Sequence, residues 1–313
     1  MKIGIFDSGL GGLIITKAIR KVMPEYDYVY LGDTKRVPYG NRSHEAVYEF
    51  TKECVNYLFQ KENCAIVIIA CNTASARALR RIQQEYLTSQ PPLLNKERGR
   101  RSGGEVNLKV LGVLIPAVEE AVKYKRVGIL GTLGTISSNT FPKEIKKINL
   151  KKKKNLLLFH DSHSNLNVVN EHNVAYAGKS TNFFSFLSKV FQNSAPMLVS
   201  LAEEGELKLA EPFLRKYLKV FAGKKIEALV LGCTHYPIFK KQIKKILGQK
   251  IKIISQDEIV PKKLKDYFER HYEIKKKLSK RGTTKILVTD MTKNVEKLSK
   301  KWFGKQKPVL IKL

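Results

Sequence analysis

The segment Ala65–Ala70, Ala-Ile-Val-Ile-Ile-Ala, is apolar at every position. A strand with one face in water alternates polar and apolar residues. An unbroken run this short belongs instead to a strand covered on both faces, the condition of parallel sheets in α/β proteins. The run ends in Cys71-Asn72-Thr73. Ala228-Leu229-Val230-Leu231 repeats the device and passes through Gly232 into Cys233-Thr234-His235. Strand, small residue, cysteine, then hydroxyl or amide groups opening a helix: two copies of this order read as a half-repeat, one per α/β unit.

The rest of the chain alternates in the same way. Strands are expected at Lys2–Phe6, Tyr26–Leu31, Val110–Ile115, Arg126–Leu130, Ile251–Ser255 and Lys285–Thr289. Helices are expected after Gly12, over Ser43–Gln60 with Ser43 as N-cap, over Ser75–Tyr86 and Pro116–Lys123, up to Phe268, and over Val295–Trp302. The expected architecture is two parallel-sheet α/β units related by a pseudo-twofold axis, with the active site in the cleft between them. The first unit takes residues 1–109 and a return of 256–313; the second takes 110–255. Residues 88–107 and 151–195 read as irregular surface insertions, rich in Gly, Pro, Ser and Lys. In such folds ligands bind at the carboxyl ends of strands, where Asp7, Asp33, Cys71, Thr132 and Cys233 all fall.

At 313 residues the chain is long enough for two ordinary cores. It has no apolar stretch of membrane-spanning length and no secretory leader pattern, so a cytoplasmic protein is expected. Its four cysteines form no CxxC pair and are expected to be free thiols. Cys54 and Cys64 read as structural. The formal net charge is +30. That charge allows nucleic acid as a rival partner, but the lysines are spread over exposed helix faces, so a solvated surface is the reading preferred. The Asp7–Gly12 turn lacks the Lys-Ser/Thr ending of a P-loop and the spacing of a dinucleotide loop. His160, His163 and His172 lie in a polar stretch without metal-ligand spacing, and no metal is expected.

Two thiols facing one carbon can invert it. One removes the Cα proton, the other returns a proton to the opposite face, and nearby donors hold a carboxylate whose charge grows in the transition state. Asn72, Thr73, Thr234 and the Asp7-Ser8-Gly9 amides are suitable donors. A cysteine between a strand end and a helix N-terminus also has its thiolate favoured by the free N–H groups there.

These motifs, with Pro38-Tyr39-Gly40 and Gly131-Thr132, Thr135 and Ser138, closely resemble glutamate racemases of the aspartate/glutamate racemase superfamily. The resemblance runs over nearly the whole chain in order. It implies an enzyme that needs no metal, flavin or pyridoxal phosphate and supplies D-glutamate for peptidoglycan. It implies Cys71 and Cys233 as the proton carriers, the first working on D-glutamate and the second on L-glutamate. Asp7 then assists the first thiol and His235 the second, with Glu203 as the acidic partner of His235. Asp7, Ser8, Tyr39, Gly40, Asn72, Thr73, Thr234 and His235 match the substrate-contacting set. The implied partner is the small substrate glutamate, with aspartate as the nearest rival; no membrane is expected, and a homodimer is an open option. Gly134 stands where an alanine is common, and the two long segments depart from the family's usual length.

Overall fold

The computed structural model describes residues 1–88, 108–161 and 188–313. Among the described residues, ten strands, all pairing in parallel, form two sheets. They are β1 (Lys2–Asp7), β2 (Tyr28–Gly32), β3 (Cys64–Ile69), β4 (Lys109–Gly112), β5 (Arg126–Gly131), β6 (Lys189–Ser194), β7 (Ala228–Gly232), β8 (Lys252–Ile254), β9 (Thr284–Val288) and β10 (Val309–Leu310). The first sheet runs β10-β9-β2-β1-β3-β4 and the second β6-β5-β7-β8. The second order reproduces β2-β1-β3-β4, so the duplication expected from the two cysteine segments is present in the strand topology.

The apolar runs are buried on both faces, as their composition requires. In β3, Ile66 and Ile68 join one core with Ile3, Ile5, Leu13 and Phe268, while Val67 and Ile69 join another with Phe6, Val55 and Leu58. In β7, Leu229 and Leu231 pack against Leu198 and Leu214, and Ala228 and Val230 against Val118 and Phe141. Each fully buried Leu, Ile or Phe contributes about 1.5–3 kcal/mol of transfer free energy. Ser43 caps the helix His44–Gln60 by accepting from Ala46 N.

Several expectations are corrected. Residues 110–112 do not open the second unit, because β4 hydrogen-bonds to β3 in the first sheet. The apolar run continues beyond that strand only because the helix Leu114–Ala121 buries Leu114, Ala117 and Val118. The helix expected over Ser75–Tyr86 is two, Asn72–Arg77 and Leu79–Thr88. The stretch 151–195 is not one irregular insertion. The helix Thr140–Asp161 runs into it, carrying the lysine block and His160, and β6 closes it, paired to β5 from Arg126↔Lys189 to Gly131↔Ser194. The lysines there mask helical spacing, and β6 (Lys-Val-Phe-Gln-Asn-Ser) is an edge strand too polar to stand out. His163, His172 and residues 89–107 lie outside the described residues.

Two features position the site. In each sheet the chain leaves one strand, goes to one side, then crosses to the other, so the order switches between β1 and β3 and between β5 and β7. Such switch points leave a crevice at the strand ends. The chain also passes between the sheets twice, after β4 and after β8. The helix Gln256–Arg270 then buries Val260, Leu264 and Phe268 in the first core, and β9 pairs with β2.

Candidate active site

Both cysteines stand where strand order switches. Cys71 follows β3 and is the N-cap of the helix Asn72–Arg77, its Sγ accepting from Ala74 N at 3.5 Å. Its sulfur lies 3.3 Å from Ser8 Oγ. Burial, the charge of Asp7 and the nearness of Cys233 push the Cys71 thiol up to about 12, against the Ser8 and Ala74 hydrogen bonds that favour the thiolate. Asp7 is fully buried at the end of β1. Its Oδ2 accepts from Gly9 N at 3.3 Å and Gly12 N at 3.0 Å, and Thr234 Oγ1 donates to Oδ1 at 3.4 Å. Asp7 is raised by that burial, against His235 and the two amides. Its carboxylate thus organises the turn and reaches across to the second unit, acting on Cys71 through charge.

Cys233 follows β7. No α-helix begins there: Pro237 sits at the head of a 3-10 turn, Tyr236–Phe239, before the helix Lys240–Leu247. In place of a capping role, Cys233 Sγ lies 3.7 Å from His235 Nδ1, and His235 Nε2 lies 3.0 Å from Glu203 Oε1 at the end of the helix Met197–Glu203. Burial works against a charged His235, but hydrogen bonds to Cys233 and Glu203 outweigh it and hold the imidazole well above its ordinary value. Trp302 stacks edge-on against the ring, centroids 5.6 Å apart. Gly11 makes this approach feasible: a Cβ there would stand 2.5 Å from Thr234 Oγ1 and 2.7 Å from His235 Nδ1.

Ser8, Tyr39, Gly40, Cys71, Asn72, Thr73, Cys233, Thr234 and His235 line one cavity between the units; it measures about 20 Å³, room for about one water. Val37, Pro38, Thr132 and Val199 complete it. Of these, Thr132 was legible at a strand end and Pro38 in the Pro38-Tyr39-Gly40 motif; Val37 and Val199 carried no signal. The Tyr39 hydroxyl donates to Asp33 Oδ2 at 2.6 Å. Asp33 also takes Arg36 Nε at 2.6 Å and Thr289 Oγ1 at 2.8 Å.

The cleft is bridged. Thr73 Oγ1 lies 2.8 Å from Thr132 Oγ1, which lies 3.0 Å from Thr135 Oγ1. Arg77 donates to Gly134 O at 3.1 Å and Ser137 Oγ at 2.9 Å in the second unit, and to Arg42 O in the first. A larger cavity of about 280 Å³, between the helices Leu79–Thr88, Leu114–Ala121 and Gln256–Arg270, holds no thiol; its Lys263 pairs with Glu119 at 2.7 Å. Among the described residues no group of three or more His, Cys, Asp or Glu side chains is placed to hold a metal, and no helix is long and apolar enough to cross a membrane.

Two parallel-sheet units of one strand order, each presenting a cysteine at a switch point to a shared cavity, have the architecture of an amino-acid racemase. The comparisons with known proteins narrow this. The chain is 34% identical to the glutamate racemase of Aquifex aeolicus, with 98% of this chain and 95% of the relative covered. It superposes on the glutamate racemase of Aquifex pyrophilus with a TM-score of 0.67 at 32% identity, covering 99% of this chain and 97% of that one. On the Francisella tularensis enzyme in complex with D-glutamate the TM-score is 0.75 at 26% identity, again covering 99% and 97%. No family model matches the chain. The chain belongs to the glutamate racemase family.

Proposed function

We propose that this chain interconverts L- and D-glutamate, one of Cys233 and Cys71 removing the Cα proton and the other delivering its own proton to the opposite face, with the product D-glutamate feeding peptidoglycan synthesis in the cytoplasm. The observation that carries the reading is the pair of thiols, one from each sheet, lining a single cavity. For L-glutamate, the Cys233 sulfur removes the Cα proton, its own proton having passed to His235, whose charge Glu203 supports. The electron pair left on Cα spreads into the α-carboxylate, held by donors from Asn72, Thr73 and Thr234. Cys71, a neutral thiol in the free protein because burial and Asp7 push it up to about 12, delivers a proton to the opposite face. The resting protein is thereby set for the L-to-D direction. The reverse direction begins with Cys71 as the thiolate, favoured by Ser8 and Ala74 N, with Asp7 assisting removal of its proton.

A cavity of about 20 Å³ is too small for an amino acid, so the units part to admit it and close to exclude water. We take the units as 1–112 with 256–313, and 113–255, moving about the two crossings. A homodimer belongs to this proposal and is checked by sedimentation. The direct test is incubation with L-glutamate or L-aspartate without added cofactor, followed by circular dichroism. Loss of signal with L-glutamate is expected; inversion of aspartate alone would defeat the assignment. In deuterated water the product should carry solvent deuterium at Cα.

A further inference from the structure

Asn72 and Gln256 are both buried and 184 residues apart, and Gln256 Nε2 donates to Asn72 Oδ1 at 2.8 Å. The other halves of the two amides, Asn72 Nδ2 and Gln256 Oε1, have no partner within the protein. Buried amides without partners are uncommon and destabilising, so each such atom calls for a reason. Asn72 forms part of the cavity wall beside Cys71, and Gln256 does not. With its oxygen turned to Gln256, Asn72 has only its N–H₂ left for the cavity, and an N–H₂ is what a substrate carboxylate requires.

Resting on the racemase reading, we infer that Gln256 is a positioning residue that locks the Asn72 amide with Nδ2 presented to the substrate carboxylate. An asparagine amide free to rotate would present oxygen or nitrogen; oxygen facing a carboxylate is repulsive. Gln256 removes that ambiguity by supplying a donor where Asn72 must then place its acceptor. Its position adds a second consequence. It is the first residue of the helix that follows β8 and the second crossing, whereas Asn72 follows β3. The lock therefore forms between a strand end of one sheet and the crossing from the other, and movement of that crossing alters the amide that receives the carboxylate.

Two substitutions test it. Gln256→Met keeps the length and removes the donor; Gln256→Glu keeps the shape and replaces the donor with an acceptor that draws Asn72 Nδ2 away from the cavity. The Met variant should raise KM for both glutamate enantiomers roughly tenfold, the scale of one hydrogen bond to a charged group, with kcat within about twofold. Its melting temperature should fall only slightly, because the lost hydrogen bond leaves Asn72 Oδ1 without its donor while the orphaned Gln256 Oε1 is removed. The Glu variant, where folded, should raise KM further. In an Asn72→Ala background, Gln256→Met should leave KM unchanged, since the residue acts through Asn72. Unchanged KM in Gln256→Met, equal effects with and without Asn72, or a loss confined to kcat would each overturn the lock. Absence of glutamate racemisation by the unsubstituted protein would instead refute the racemase reading on which it rests.

Discussion

Cys71 and Cys233 occupy equivalent places in two sheets of the same strand order, yet their surroundings differ in kind. Cys71 caps a helix and faces a serine hydroxyl and a backbone amide, with a buried carboxylate nearby. Cys233 precedes a turn and faces His235, whose other ring nitrogen lies against Glu203. The first setting raises the thiol to about 12, so that it favours the protonated form. The second places an imidazole, raised above its ordinary value, against the sulfur. Duplication thus sets two thiols at one cavity, and on the proposed mechanism the divergence of their neighbours would make one thiol the acid and the other the base.

The largest expected effect removes either side. Cys71→Ala and Cys233→Ala should each lower kcat for racemisation by roughly 10³-fold or more, the scale of a lost acid–base group, measured by circular dichroism on both enantiomers. If one variant retained near-native rates, the symmetry between the two sites would be broken as a functional statement. Gly11→Ala comes next. Its Cβ would collide with Thr234 and His235, and the displacement should cost about 10²-fold in kcat, more for the L-to-D direction.

Glu203→Gln should have a smaller effect and sharpen the contrast. Removing the carboxylate takes away a cause of the raised His235 value. The imidazolium then loses its proton at lower pH, and the alkaline limb of the L-to-D pH–rate profile should move down while the D-to-L profile moves less. The expected fall in kcat is roughly tenfold, about one hydrogen bond to a charged group. Stability carries the same sign. Because folding raises His235, its contribution is fully present below the unfolded value of about 6.5 and is lost as pH rises through the higher folded value. Thermal melts at rising pH should show the unsubstituted protein losing more stability than Glu203→Gln across that window. The smallest effect is assigned to Arg77→Ala, which removes the bridge from Gly134 and Ser137 to the Arg42 loop. KM should rise about threefold to tenfold with kcat nearly constant, because closure, not proton transfer, is weakened.

Much of the fold was legible because burial on both faces forces a continuous apolar run, as in Ala65–Ala70, and because caps such as Ser43 act within one turn of chain. Boundaries shifted where one apolar run served two elements, as at β4 and the helix after it. β6 was missed because an edge strand need not be strongly apolar. At the site, the cysteines, Asp7 and His235 lie in short motifs. Glu203 could be selected only through its family resemblance, since its distance of 32 residues from His235 carries no local signal. Asp33 stood out at a strand end, but its hold on Tyr39 did not. Gln256 had no signal of any kind.

The sequence by itself determined that strands would be covered on both faces, that two of them would end in cysteine, and that the turns after β1, β3 and β7 would carry the candidate site residues. These are consequences of local composition and of the chirality that places strand ends and helix starts on one edge. The tertiary structure alone decided which strand lay beside which, that the two cysteine edges share one cavity, and which buried donor met which acceptor across it. Such choices depend on groups tens to hundreds of residues apart meeting at hydrogen-bond distance, and no periodicity along the chain encodes a separation of that kind.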